Sequence, residues 1–536
     1  MKKLFTTLLS AALFLTMAVG CSTGNSSSGT QSSGSDSQTN SQSDSKNDNT
    51  SKTLNLAIST GDGSSTDDKV PTPWYNRTMA TNLMFRSLFT SDSSLTEVSE
   101  DLASGYTVSE DGLVYTITLK ENLKWSDGEA LDLDDVVYSI QTAQKAARIN
   151  SIYTAAFANI SEMKAEGNVL TLTLSTPYST MPQVLAQFAV LPEHKLSSVD
   201  PLKLDSDPFW VNPVTSGMYT VDTFNTGNYF TLRINENYEG EKPKIESVTT
   251  YFVTDFLTAA MAGNTDFLYG NASDLVEQLS SDSNFTAHEV DVLFYKYFIF
   301  NMKGVDGTEN EAMQNVEVRK SIIEAIDRAS LADLYPNAKV LNSGVPNDNE
   351  AYNGFDYKFD ADKAKADIAA SGYDLSRPLR ICYYNNDQTS IDLINTVVYY
   401  LEQAGLKVEA TLSNDGTTDL FTTRNYDIGF KGKSSFSINE WYTEYMSTDA
   451  LFANIFGGDT AFDSLIADLS ASTDKADTNR ILGELQGIEQ ENAYKVPVFT
   501  VGTYVFTNNK LSIPESVEFC NPLYNCDVDY EKWEIK

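Results

Sequence analysis

The chain has 536 residues, 41% of them hydrophobic, enough to bury large cores in two or three domains. Its 74 acids against 38 Lys and Arg give a formal charge of −36, which excludes a general nucleic-acid binder, because neutralising phosphates needs a basic surplus. With His194 and His288 as its only 2 histidines, a metal site built on several imidazoles is excluded too.

Lys2 and Lys3 precede an apolar run, LFTTLLSAALFLTMAVG, that stops directly before Cys21, the pattern of a secretory signal rather than of a membrane span. Ala18, Val19 and Gly20 before that cysteine resemble a bacterial lipobox, in which diacylglycerol joins the thiol and cleavage leaves Cys21 first; Leu more often stands where Ala18 is. The alternative is an ordinary secretory signal with an incidental cysteine. Residues 22–52 carry no apolar side chain and cannot bury enough surface to offset their chain entropy. As a tether they span on the order of 30 Å. The expectation is a signal peptide over 1–20, a lipidated Cys21 heading a disordered Ser/Asn/Gln-rich tether over 21–52, and a body on the extracytoplasmic face of the membrane.

The segment DGLVYTITLKENLKWSDGEALDLDDVVYSI, residues 111–140, concentrates Asp127, Glu129, Asp132, Asp134 and Asp135. Calcium-loop spacing fails in both registers: starting at Asp132 the fifth and sixth positions are Val136 and Val137, and starting at Asp127 they are Leu131 and Asp132. Tyr115, Ile117 and Leu119 alternate with polar residues and predict a strand, Asp127 and Gly128 a turn. Asp132 then caps a helix with Asp134 and Asp135 in its first turn, Asp135 at the capping-box position and Val136, Val137, Ile140, Ala143 and Ala147 on one face. These acids read as structural.

Further along, Val318, Ile322, Ala325, Ile326 and Ala329 make another apolar helical face. Residues 360–373 read as a helix stopped by Gly372, and 391–413 as helix, Gly405 stop and strand, so the chain is α/β with a partly parallel sheet. Cys382, in LRICYY, is expected to be a buried small hydrophobe, and Cys520 and Cys526 are close enough to pair in an oxidising compartment, or to stay free. Both histidines are expected at the surface. No HExxH, GxSxG, GxxxxGK[ST] or GxGxxG occurs, and the SxxK match at Ser472 to Lys475 has no SDN or KTG beside it, which disfavours a secreted hydrolase.

The order Tyr115, Leu119, Lys120, Trp125, Asp127, Gly128, Asp135, Val136, Val137, Tyr138 and Ser139 resembles the signature of the family-5 extracellular solute-binding proteins, the oligopeptide- and dipeptide-binding subunits of bacterial ABC importers. The resemblance continues in residues 216–253, where Met218 replaces the usual Pro, in MAGNTDFLYG (261–270), and in FNMK with NVEVRKSIIEAIDRASL (300–303, 315–331). It implies a two-lobed periplasmic-binding-protein-like (Venus-flytrap) fold with an extra domain inserted in the first lobe. On that pattern 53–92, 210–300 and 497–536 form the first lobe, 93–209 the inserted domain and 301–496 the second lobe. The implied function is capture of a peptide between the lobes by hinge closure and delivery to an ABC permease and its ATPase subunits, by a monomer needing no cofactor, catalysing nothing, binding no nucleic acid and touching the membrane through its lipid alone. An oligosaccharide or other polar solute is the alternative ligand.

Carried over residue by residue, the resemblance marks Tyr153, Tyr269, Asn271, Tyr295, Asn301 and Tyr524 as ligand contacts. It also shows departures. The acid that holds a peptide's α-amino group in such proteins falls on Phe436 or Ser437, leaving Glu440 as a substitute, with Trp441 beside it. Lys431 and Lys433 are unexpected cations, able to meet a carboxylate or to face solvent, and Arg86 stands where many peptide binders carry Glu. The loop from Lys431 to Trp441 is therefore expected to decide the ligand.

Overall fold

The computed structural model describes residues 52–60, 68–146, 151–305, 310–456 and 458–536. The signal segment, Cys21 and nearly all of the tether lie outside the described residues, as does Ala147. Among the described residues no helix is long and apolar enough to cross a membrane.

Two long strands, Phe285–Phe300 and Lys495–Asn508, pair antiparallel through the middle of an 11-stranded sheet. On one side the sheet continues through Phe267–Gly270, Thr53–Ser59, Ser247–Val253, Tyr229–Ile234 and Tyr219–Asn225; on the other through Ile428–Ser434, Pro378–Tyr383 and Lys407–Leu412. The long pair thus joins the two sides of the sheet. Its register runs unbroken from Phe285 opposite Asn508 to Asp291 opposite Gly502, then shifts before Tyr295 opposite Thr500. Gly502 is required there, since a Cβ on it would lie 2.5 Å from the backbone oxygen of Asn337.

Strand alternation sorts the side chains at the C-terminal end of Phe285–Phe300 into two cores. Phe298 and Phe300 enter one with Leu379, Ile381, Leu393 and Val397, while Tyr295, Tyr297 and Ile299 enter the other with Trp441, Tyr442 and Tyr445. The helices cover these faces as the spacing predicts: Ala361–Ala370 stops ahead of Gly372 (φ 82°), and Gln388–Gln403 ahead of Gly405 (φ 90°), the left-handed conformation that glycine adopts without strain.

The acidic segment folds as its spacing implies. Val114–Leu119 lies in a four-stranded sheet with Ala103–Val108, Val169–Leu174 and Ile160–Glu166, separate from the main sheet. Asp132 caps the helix Leu133–Lys145, and the buried Asp135 carboxylate accepts from Trp125 Nε1 (2.9 Å), Asp132 N (3.2 Å) and Glu193 N (2.8 Å). Among the described residues no group of three or more acids, histidines or cysteines could hold a metal ion.

Cys520 and Cys526 form a disulfide, and Cys382 is buried and free, its thiol pushed up to about 11 by burial. His288 departs from the surface expectation. It is half-buried against Phe519 and bonded to Thr507 Oγ1 at 2.9 Å, because Phe519 of the C-terminal segment covers the ring and Thr507 stands on the strand paired beside it; burial lowers its pKa. His194 is exposed, 3.0 Å from Asp127.

Candidate functional site

The loop that follows Ile428–Ser434 packs against residues distant in the chain. Ser435 is pinned from both ends: its N–H donates to the Leu293 carbonyl (3.0 Å), and its hydroxyl accepts from Trp441 Nε1 (2.7 Å). A 3₁₀ helix, Ile438–Tyr445, starts at a Ser437 cap. Held this way, Phe436 joins a different hydrophobic core from its neighbours Ile438 and Trp441, the one that holds Tyr153, Phe188 and Trp210. Its ring lies 5.4 Å from Tyr153 and 6.1 Å from Tyr524, and Tyr153 lies 5.4 Å from Phe188.

These rings form an aromatic box with a polar frame. Tyr153 donates its hydroxyl to the Gln187 carbonyl (2.9 Å), and burial pushes that hydroxyl up to about 12. Asn82 Nδ2 donates to the Tyr524 carbonyl (2.9 Å), Gln187 Oε1 accepts from Asn525 N (2.6 Å), and the disulfide closes the loop that carries Tyr524 and Asn525. Arg77 joins the two walls, Nη1 donating to Asn82 Oδ1 (2.6 Å) and Nη2 to the Gln187 carbonyl.

Glu440 sits beside the box. It accepts from the Tyr178 hydroxyl (2.5 Å) and from Phe436 N (3.1 Å); burial raises its carboxyl against the pull of these bonds and of Lys433. Ser179 adds two more bonds across the junction, its N–H to the Ser470 carbonyl (2.8 Å) and its hydroxyl to the Leu469 carbonyl (3.1 Å).

The remaining expected residues lie elsewhere. Tyr295 and Trp441 are fully buried, 4.3 Å apart, and Tyr295 accepts from Lys495 Nζ (2.8 Å). Asn301 is also buried, donating to the Arg424 and Tyr426 carbonyls (2.9 Å each). Lys431 and Lys433 meet a carboxylate, that of this chain's own Glu444, at 3.3 and 3.8 Å, and Lys495 meets it at 3.1 Å. Tyr297 donates to the same carboxylate. Burial opposes ionisation of Glu444, but the three ammonium groups outweigh it and hold the carboxyl well below its ordinary range. Tyr269 packs against Phe256, and Asn271 reaches the Gly502 carbonyl (3.5 Å) at the register shift. Arg86 pairs with Asp101 (2.6 Å) and Glu239.

The structure therefore brings together Tyr153, Tyr524 and Glu440, three of the expected residues, and adds Phe436, Tyr178, Phe188, Gln187 and Arg77. Sequence reasoning reached Phe436 only as the position where an acid was missing. The Glu440–Glu444 spacing of one helical turn and the Lys431–Lys433 alternation were readable signals for the carboxylate–lysine cluster.

The comparisons agree with this architecture. The profile of the bacterial extracellular solute-binding proteins, family 5 Middle, matches residues 97–463. A protein of Brucella ovis, named provisionally as an ABC transporter peptide-binding protein, is 27% identical over 335 residues, covering 60% of this chain and 62% of its own length, so the match stops short of two thirds of that relative. The ABC transporter substrate-binding protein CtaP of Listeria monocytogenes superposes with a TM-score of 0.73 at 20% identity, over 90% of this chain and 99% of its own. The oligopeptide-binding protein AppA of Bacillus subtilis, in complex with a nonapeptide, superposes at 0.67 and 18%, over 91% and 99%. Both share the two-lobed fold. With more than half its length matched by the family profile, the chain belongs to the family-5 bacterial extracellular solute-binding proteins, a family of binding proteins rather than enzymes.

Proposed function

We propose that this protein captures a peptide between its two lobes and hands it to an ABC permease. One observation carries the reading: an aromatic side chain of the second lobe, Phe436, is received in a box built by the inserted domain (Tyr153, Phe188) and the C-terminal segment of the first lobe (Tyr524). Such a box suits an apolar peptide side chain, since tyrosine offers ring area and a hydrogen-bonding tip at small entropic cost. The names of the Brucella and Bacillus proteins support the peptide class.

On this reading the lobes are 53–92 with 210–300 and 497–536, and 301–496, with 93–209 inserted. They move about the register shift between Asp291 and Tyr295, and closure is what the permease recognises. The lipobox at Cys21 anchors a monomeric body outside the cytoplasm through the tether.

A thermal-shift screen with peptides and oligosaccharides tests this. A ligand at a hundred times its dissociation constant adds about 2.7 kcal/mol of stability. Peptides are expected to raise the melting temperature; oligosaccharides alone doing so would overturn the peptide assignment in favour of another polar solute.

A further inference from the structure

One end of the main sheet carries a second concave surface, which shares no residue with the aromatic box. Tyr229 and Tyr251 stand opposite each other on the antiparallel strands Tyr229–Ile234 and Ser247–Val253, their ring centroids 6.0 Å apart and their planes at 59°. Alternation sends Phe230, Leu232 and Val248 into the core and turns the two tyrosines to the other face, where they are half-buried and join none of the hydrophobic cores of the described residues. Among the described residues no hydrogen bond engages either hydroxyl. Neither core packing nor an internal polar network accounts for these rings.

Both tyrosines line an open cavity of about 500 Å³ together with Asn225, Asn228 and Asn264. Gly227, at φ 77°, makes the tight turn between Tyr219–Asn225 and Tyr229–Ile234. Asn228 fastens that turn: its Nδ2 donates to Asn225 Oδ1 (3.0 Å) and to the Thr226 carbonyl (3.1 Å), and its own carbonyl accepts from Phe252 N (2.9 Å). The wall of the cavity is thus preformed. Asn225 Nδ2, Asn228 Oδ1 and both ends of the Asn264 amide are left without a bond to any described residue. In a chain of formal charge −36, none of the described residues lining this cavity carries a charge.

We propose that this cavity is a second binding site, separate from the interlobe site, and that it takes a short neutral oligosaccharide. The apolar C–H face of a sugar ring packs on Tyr229 and Tyr251, and its hydroxyls meet the asparagine amides, which offer donors and acceptors alike, and the tyrosine tips. The lining disfavours other classes. An anion finds no cation there, and a purely apolar ligand would leave the amides unpaired. An extended peptide needs a free strand edge, whereas Tyr229–Ile234 and Ser247–Val253 are each paired on both sides.

The test is calorimetric titration of wild type, Tyr229→Ala, Tyr251→Ala and Asn264→Ala with maltopentaose, cellopentaose, chitopentaose and the acidic pentagalacturonate. Wild type is expected to bind at least one of the neutral probes, and pentagalacturonate at least tenfold more weakly. Each tyrosine variant is expected to weaken that neutral probe at least tenfold while melting as wild type does, since these rings join no core. Asn264→Ala is expected to weaken it by a smaller factor, and this exposed position serves if a tyrosine variant does not fold. Binding of no neutral probe, or equal binding of pentagalacturonate, overturns the proposal and leaves the peptide site standing. Unchanged affinity in the variants overturns it as well, and places the sugar elsewhere on the protein, the interlobe site included.

Discussion

The Tyr178 hydroxyl donates to Glu440 Oε1 at 2.5 Å, a hydrogen bond between residues 262 positions apart. Burial raises the Glu440 carboxyl above its ordinary value of 4.5. A carboxyl raised on folding favours the protonated form, so its contribution is fully present below pH 4.5 and is lost as pH rises through the folded value. Glu440→Gln stays neutral throughout. The stability difference between wild type and Glu440→Gln, from denaturant melts across a pH series, is therefore expected to move in favour of the glutamine variant as pH rises above 4.5. A difference that does not change with pH contradicts this.

Glu444 gathers Lys431, Lys433 and Lys495, with side chains at most 11% exposed. Removing its charge strands three buried ammonium groups. Glu444→Gln is expected to destabilise the protein by about 3–5 kcal/mol in a denaturant melt, the range for breaking a buried pair from one side. Because the folded carboxyl is depressed, this stabilisation is present above pH 4.5 and is lost only as pH falls below it.

The Cys520–Cys526 disulfide closes a loop that carries Tyr524 and Asn525 into the box frame. Cys520→Ser with Cys526→Ser is expected to cost about 2 kcal/mol, as loop-closure entropy gives for so short a loop. It is also expected to weaken peptide binding, measured by titration. Unchanged affinity would place Tyr524 outside the ligand's reach.

Phe436 is 6% exposed and packs against Tyr153 and Tyr524. Phe436→Ala is expected to cost about 3 kcal/mol in a thermal melt and to enlarge the radius of gyration by small-angle scattering, since the lost ring contacts join the lobes. A stability loss without expansion would make Phe436 a core residue only.

Much of the fold was legible because its signals are local. Alternation at Tyr115 to Leu119, the Asp132 cap with Asp135 three residues on, and Gly372 and Gly405 as helix stops each depend on a few neighbouring residues. The site was legible only in part. Tyr153, Tyr524 and Glu440 meet there, but Tyr295, Asn301, Lys431 and Trp441 turned inward, where Glu444, Lys495 and backbone carbonyls engage most of their polar groups. Which face of a strand meets a counterion 11 to 51 residues away is set by packing beyond the strand, and nothing local encodes it. The same reason hid Arg77, whose partners are Asn82 nearby and Gln187 far along the chain.

The central claim, that the box between the lobes receives a peptide, is tested most directly by hydrogen–deuterium exchange with and without a pool of short peptides. Added peptide is predicted to slow exchange in residues 434–441, 153–158 and 521–526 together. Unchanged exchange in all three segments, with protection confined to other surfaces, would contradict it.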